Sequence, residues 1–128
     1  MASHLQPKIV AMLADASISS PKGKALKHGT DFKHVAVGAA NTDKVFGLCQ
    51  SDTVAGAESV VEVAVLGGAK GLLGETVVAG DPLCSHTDGS LVKPNALGDY
   101  VIARAMEGGV AGDIVDVILS HSQAVAAV

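Results

Sequence analysis

Catalysis by side chains needs polar groups that converge, and this 128-residue sequence offers few places where they could. Ser85-His86-Thr87-Asp88 contains the residue types of a nucleophile, a base and an orienting carboxylate. Neighbours in one hairpin cannot aim at each other as a triad must. Cys84 and His86, two positions apart, would share a strand face and supply two ligands to a metal, but no third and fourth ligand stand at a matching spacing. A solvated hairpin end is the simpler expectation. Gly23-Lys24 resembles the end of a phosphate loop, yet the earlier glycine is missing, Ala25 replaces the magnesium-holding hydroxyl, and no strand precedes it. Gly67-Gly68-Ala69-Lys70-Gly71 has no helix after it and reads as a flexible loop. Asp113 and Asp116 fit solvent-facing decoration of a β-surface. The expectation is a non-enzyme with no metal and no cofactor.

Composition says what must position these residues. Apolar residues make up 48% of the chain, with 20 Ala, 18 Val and 15 Gly, but the aromatics are only Phe32, Phe46 and Tyr100. Such a chain can bury a core, since Val, Leu and Ile each contribute roughly 1.5–3 kcal/mol when fully buried. It lacks the stacking platforms of single-stranded nucleic-acid binders. Charged residues at 17% and a mean hydropathy of +0.41 argue against disorder. Cys49 and Cys84 lie outside any CxxC spacing and are expected as ordinary buried thiols. Ile9–Leu13 is too short for a signal-peptide core, and no run approaches the ~18 apolar residues of a membrane span. A soluble protein, intracellular when made and without a membrane partner, is the corresponding expectation.

Short β-like runs separated by Gly, Asn and Asp begin near Asp31. Strands are predicted at His34–Val37, Lys44–Cys49, Val60–Leu66, Pro82–Ser85, Leu91–Lys93, Tyr100–Met106 and Ile114–Leu119. Alternation turns Val61, Val63 and Val65 one way and Glu62 the other, and likewise separates Val115, Val117 and Leu119 from Ile114, Asp116 and Ile118. Thr87-Asp88-Gly89-Ser90 is a hairpin signal, because Asp-Gly supplies positive φ. Val-Ala-Gly recurs at 54–56, 78–80 and 110–112, each time before a polar turn, as expected of antiparallel strands linked in a compact barrel. Ala, Val and Gly are common enough here for triplets to repeat by chance. The predicted fold is all-β: a compact β-barrel or β-sandwich of about seven to nine short antiparallel strands. It spans residues 31–120, with an extended basic arm at 1–30 and a tail at 121–128.

The net charge of −4 has the wrong sign for a surface that grips nucleic acid. Its distribution is uneven. Residues 1–34 hold five of the nine basic residues and only Asp15 and Asp31, while eleven of the thirteen carboxylates follow. Lys8, Lys22, Lys24, Lys27, His28 and Lys33 are therefore the candidate contacts for an acidic neighbouring surface, set against the simpler reading of a lysine-rich terminus.

Gly74–Leu83 with its Gly80-Asp81-Pro82, then Thr87–Val92, Val101–Ala105 and Val110–Val117, taken in this order, resemble the small capsid decoration (cement) proteins of tailed bacteriophages. Ala103 departs from the pattern, where the family usually has Gly. The resemblance covers roughly residues 31–120 and implies a non-enzymatic structural virion protein. It implies a place on the outside of an icosahedral head, with the major capsid protein and further copies of itself, as a homotrimer, for partners. Two rival classes remain. A barrel-sandwich carrier module needs a Lys at an exposed hairpin tip, where this chain has Asp88-Gly89; a small-ligand or sugar-binding β-domain ordinarily brings aromatics and convergent polar groups.

Overall fold

Where apolar residues alternate, strands form and their apolar faces meet. In the computed structural model, which describes residues 8–96 and 98–123, the ten strands are β1 (Lys8–Ala14), β2 (Ala25–His28), β3 (His34–Val37), β4 (Gly47–Cys49), β5 (Val60–Leu66), β6 (Gly68–Leu72), β7 (Pro82–Ser85), β8 (Leu91–Val92), β9 (Tyr100–Ala105) and β10 (Ile114–Gln123). The all-β expectation holds. Val61 and Val63 are buried with Glu62 exposed, and Val115, Val117 and Leu119 are buried with Ile114 and Ile118 exposed. Thr87–Ser90 links β7 to β8, with Gly89 at φ +85° as the Asp-Gly pair required.

The strands form two five-stranded units of one topology. In the first, β1-β3-β2-β4-β5 closes into a barrel, with β5 antiparallel to β1 and a parallel β1–β3 seam at Leu13↔His34 and Ala14↔Val35. The second runs β6-β10-β9-β7-β8, and its two edges meet at one parallel bridge, Leu73↔Leu91. Taking β6 to β10 as counterparts of β1 to β5, every pairing has the same partner and direction. Turns and bridges correspond as well. Gly23 N–H donates to Cys49 O at 2.7 Å, and Gly80 N–H to Ala105 O at 2.8 Å; the Ile18↔Val54 bridge corresponds to Val77↔Gly109. Gly56–Ser59 and Val110–Asp113 are equivalent turns, each closed by a side-chain oxygen of its last residue, with Glu58 (φ 68°) standing where the second has Gly112 (φ 92°).

Each unit fills its interior with small aliphatic residues. Ala14, Ile18, Leu26, Val35, Val61 and Val63 form the first core, and Leu73, Val77, Leu83, Leu91, Val115 and Val117 occupy the equivalent places in the second. The second core also takes in Ala25, Leu48 and Ala64, a row across β2, β4 and β5 on the outer face of the first barrel. The two units therefore share a buried interface. Leu72 N–H donates to Gly23 O at 3.0 Å, Ala25 N–H to Gly89 O at 2.8 Å, and the Gln50 amide bonds both the N–H and the C=O of Lys70.

Three expectations are corrected. Residues 8–28 are not an extended arm: β1 and β2 belong to the first barrel, with Ala14, Ile18, Ala25 and Leu26 buried, because β5 and β3 need β1 between them. The span 31–120 is accordingly not one barrel; the first unit draws on residues ahead of it, and β10 continues to Gln123, into the expected tail. Residues 1–7 of the arm and 124–128 of the tail lie outside the described residues. Gly68–Leu72 is a strand and not a loop, since Gly71 lies so close to Leu91 and Val117 that a side chain there would displace them.

Gly23 and Gly80 make a controlled comparison. Both hold the left-handed conformation, φ +86° and +93°, which costs roughly 1–2 kcal/mol for a residue with a Cβ. A Cβ at Gly23 would also run into the backbone of Gly71 and Leu72, whereas at Gly80 it meets nothing within 4 Å. Gly80→Ala should lose about 1–2 kcal/mol in chemical denaturation, and Gly23→Ala distinctly more. Equal losses would contradict the close approach.

Candidate interaction surface

The six basic candidates are not gathered into one patch. Lys22 sits in the Pro21–Lys24 turn, donates to Gln50 O at 3.1 Å and pairs with Asp52 at 3.4 Å. Lys27 on β2 pairs with Asp43 at 3.1 Å. Both charges are answered within the first barrel. His28 stacks on Phe46, ring centroids 4.4 Å apart at 12°. Lys24 is half-buried, with Asp88 within its electrostatic reach. Lys8 and Lys33 are exposed and carry no ion pair among the described residues, and Lys33 lies 6.0 Å from the centre of the Phe32 ring.

The chemical candidates take part in local structure. Ser85 is buried and its hydroxyl donates to His86 O, while the Asp88 carboxylate accepts from the Ser90 hydroxyl and N–H, bonds that hold it below the usual carboxylate range. These groups shape the hairpin. Cys84 is buried whereas His86 is exposed at the hairpin end, so the two do not present one ligand face; among the described residues no three His, Cys, Asp or Glu side chains are placed to hold a metal ion. Burial pushes the Cys49 thiol up, and the Cys84 thiol up to about 12.

A feature that composition did not mark is an apolar groove of about 390 Å³ on the first barrel, lined by Val10, Ala11, Met12, Leu13, Phe32, Lys33 and Val60. Phe32 is 77% exposed and Val60 63%. The β1–β3 seam is short, so ahead of Leu13 the edge of β1 has no neighbouring strand among the described residues. His34, paired with Leu13 across the β1–β3 seam, has its Nδ1 2.7 Å from Asp31 and its Nε2 2.8 Å from Glu58. The hydrogen bond to Asp31, then that to Glu58, raises the histidine above its ordinary 6.5; the bond to His34 likewise lowers Asp31. The polar cleft by the β7–β8 hairpin, lined in part by Asn41, Glu75, His86 and Lys93, has its Glu75 carboxylate occupied by Lys93 N–H at 2.6 Å.

Two five-stranded units of one topology, each with its own core and joined across a buried interface, define a small all-β fold. A solved structure has this fold: that of the head fiber gp8.5 N base in bacteriophage phi29, at a TM-score of 0.68, covering 92% of this chain and 98% of that one. Sequence identity is 20%, so the likeness is one of fold. No family model and no curated protein sequence matches the chain.

The histidine clamp gives stability a pH dependence. Because His34 binds its proton more tightly when folded, its contribution is complete below pH 6.5 and is lost as pH rises through the raised value. Asp31 acts oppositely: its contribution is present above 3.8 and is lost as pH falls through the lowered value. Melting temperature should be highest between these limits, and His34→Gln should flatten the decline on the alkaline side; an unchanged slope would remove the clamp. The thiols give a second check. Ellman's reagent should leave Cys49 and Cys84 unmodified in the native protein and label both in denaturant.

Proposed function

We propose that this chain is a structural protein of a bacteriophage virion, carried on the outer surface of the head, where it binds the major capsid protein and stabilises the shell. The observation that carries this reading is the fold shared with the phi29 head fiber base over nearly the full length of both chains. In sequence, the strands and turns from Gly74–Leu83 through Val110–Val117 resemble the capsid decoration proteins. The chemistry agrees. Ser85 and Asp88 of the β7–β8 hairpin are engaged in holding it, and the exposed surface offers another protein an apolar groove and, in Lys8 and Lys33, cations without an ion pair among the described residues. Lys8 and Lys33 are the cations best placed to meet an acidic surface. Many copies on one symmetric shell turn weak single contacts into lasting attachment.

The test is co-sedimentation of the full chain with heads of the phage that encodes it, prepared without this protein. Saturable binding is expected, with a higher temperature for heat-induced DNA release from the coated heads. Failure to pellet with the heads would overturn the proposal. Binding without a gain in heat resistance would leave a head-attached protein that does not reinforce the shell.

A further inference from the structure

Part of the β1 edge has no partner strand. Ala14 N–H bonds Ser59 O on the β5 side, while Leu13 N–H and Asp15 N–H bond Lys33 O and Val35 O on the β3 side. Alternation carries this pattern back along the strand, so Val10 and Met12 turn their peptide groups to β5, and Ile9 and Ala11 turn theirs the other way. There β3 has not begun: its register with β1 covers Leu13 and Ala14 alone. The N–H and C=O of Ile9 and Ala11 therefore face no strand among the described residues. The second unit shows what groups in this position bind. Lys70 stands opposite Asp116 as Ala11 stands opposite Glu62, and both its peptide groups are bonded by one amide, the side chain of Gln50. No amide of main chain or side chain meets Ala11 on this side among the described residues. The apolar groove lies along the same stretch of β1 and is completed by Phe32, Lys33 and Val60. Val10 and Met12 pack against the first core there and are still only half-buried.

We infer that the Ile9–Ala11 edge binds an extended segment of another protein by strand addition. The segment's peptide groups pair with those of Ile9 and Ala11, its alternate apolar side chains lie in the groove, and a carboxylate at its end meets Lys33. In this mode main-chain bonds supply the hold and side-chain pockets the selectivity. Three observations select the occupant. The open groups are donors and acceptors at strand spacing, which an extended backbone satisfies together, and from Ile9 to Leu13 the strand has no proline, charge or bulge to blunt its edge. Phe32 and Val60 hold large apolar surfaces in water beside that edge, and a covering segment removes them from it. Lys33 is the charged residue of the lining and has no ion pair among the described residues, the nearby carboxylates of Asp31 and Glu58 being engaged by His34. Neither β1 nor residues 1–7 contains a carboxylate side chain, so a second copy's β1 and the chain's own preceding residues both lack the group that answers Lys33.

No capsid is needed to test this, so its failure and that of the head-binding reading are separable. The probe is a synthetic peptide, acetyl-Glu-Val-Thr-Val-Thr-Val-Glu-amide, whose carboxylates at both ends serve either strand direction. In the free protein, hydrogen exchange followed by NMR should find the Ala11 amide fast and those of Val10 and Met12 slow. Peptide at about ten times its Kd should slow Ala11 about tenfold. Ala11→Pro removes the N–H that faces the edge and leaves the bonds to β5, at a kind of position where strands accept proline, and should abolish binding. Lys33→Glu, at an exposed residue, should weaken it about fivefold. Circular dichroism with thermal melting verifies that each variant is folded, and the Lys33 variant decides the matter if the proline is not tolerated. The same peptide methylated at every internal peptide nitrogen keeps its side chains, loses its donors and should not bind. Absence of binding by the unmethylated peptide at millimolar concentration overturns the inference. So does binding that survives the substitutions or the methylation, which would place the peptide elsewhere or make the groove a simple apolar pocket. An Ala11 amide already protected in the free protein overturns it too: protection that persists on dilution assigns the edge to the chain's own residues 1–7, and protection lost on dilution assigns it to a second copy.

Discussion

A side chain at position 23 would collide with the backbone of Gly71 and Leu72, and the relation between the two barrels depends on that closeness. With hydrogen as its side chain, Gly23 brings its carbonyl to the Leu72 N–H and turns the chain so that Ala25 can reach Gly89 O. Backbone from the first barrel thereby stands between β6 and the approach to β8, where the first barrel has a direct Leu13–Lys33 bond. The Gln50 amide fits the same logic. It satisfies both peptide groups of Lys70 at an edge that would otherwise face no strand, and buried peptide groups must find partners. The apolar row Ala25–Leu48–Ala64 then packs where these polar contacts hold it, with two alanines permitting the approach.

Much of the strand pattern was legible because alternation is a direct readout of burial on two faces. β3, β5 and β7 have the bounds expected of them, and β9 and β10 begin at the expected residue. β1 escaped because Lys-Ile-Val-Ala-Met-Leu-Ala does not alternate, and Ser17–Lys24 looks like linker although Ile18 and Pro21 are buried. β6 escaped because its glycines are demanded by close packing, which composition alone reads as flexibility. The duplication was the largest omission. Val-Ala-Gly at 78 and 110 marks similar Gly-Asp turns, but those turns lie at different places within the second unit, and the triplet at 54 is two residues out of step with the structural equivalence. The two units match in backbone bonds and in apolar character, and a left-handed position filled by Gly112 in one is filled by Glu58 in the other. Neither kind of likeness needs identical residues.

The surface chemistry was legible in part. The excess of lysine near the N-terminus is real as composition, but Lys22 and Lys27 are tied to carboxylates within the first barrel, which linear charge counting could not foresee. The groove draws on β1, the loop before β3 and the start of β5, segments far apart in sequence, and so had no local signature. What could have pointed to it were the exposed positions of Phe32 and Val60, large apolar residues at places where alternation or turn propensity directs side chains outward.

The two barrels also differ in how far each can stand alone. The first closes on itself through paired strands at its seam and keeps its own set of buried residues. The second, whose edges meet at one bridge, completes its core with residues of the first and its β6 edge with Gly23 and Gln50. Synthesis proceeds from the N-terminus, so the self-sufficient unit leaves the ribosome before the dependent one. The surface that β6 requires is thus already folded when β6 emerges, and the order of the duplicated halves matches the order in which they need each other.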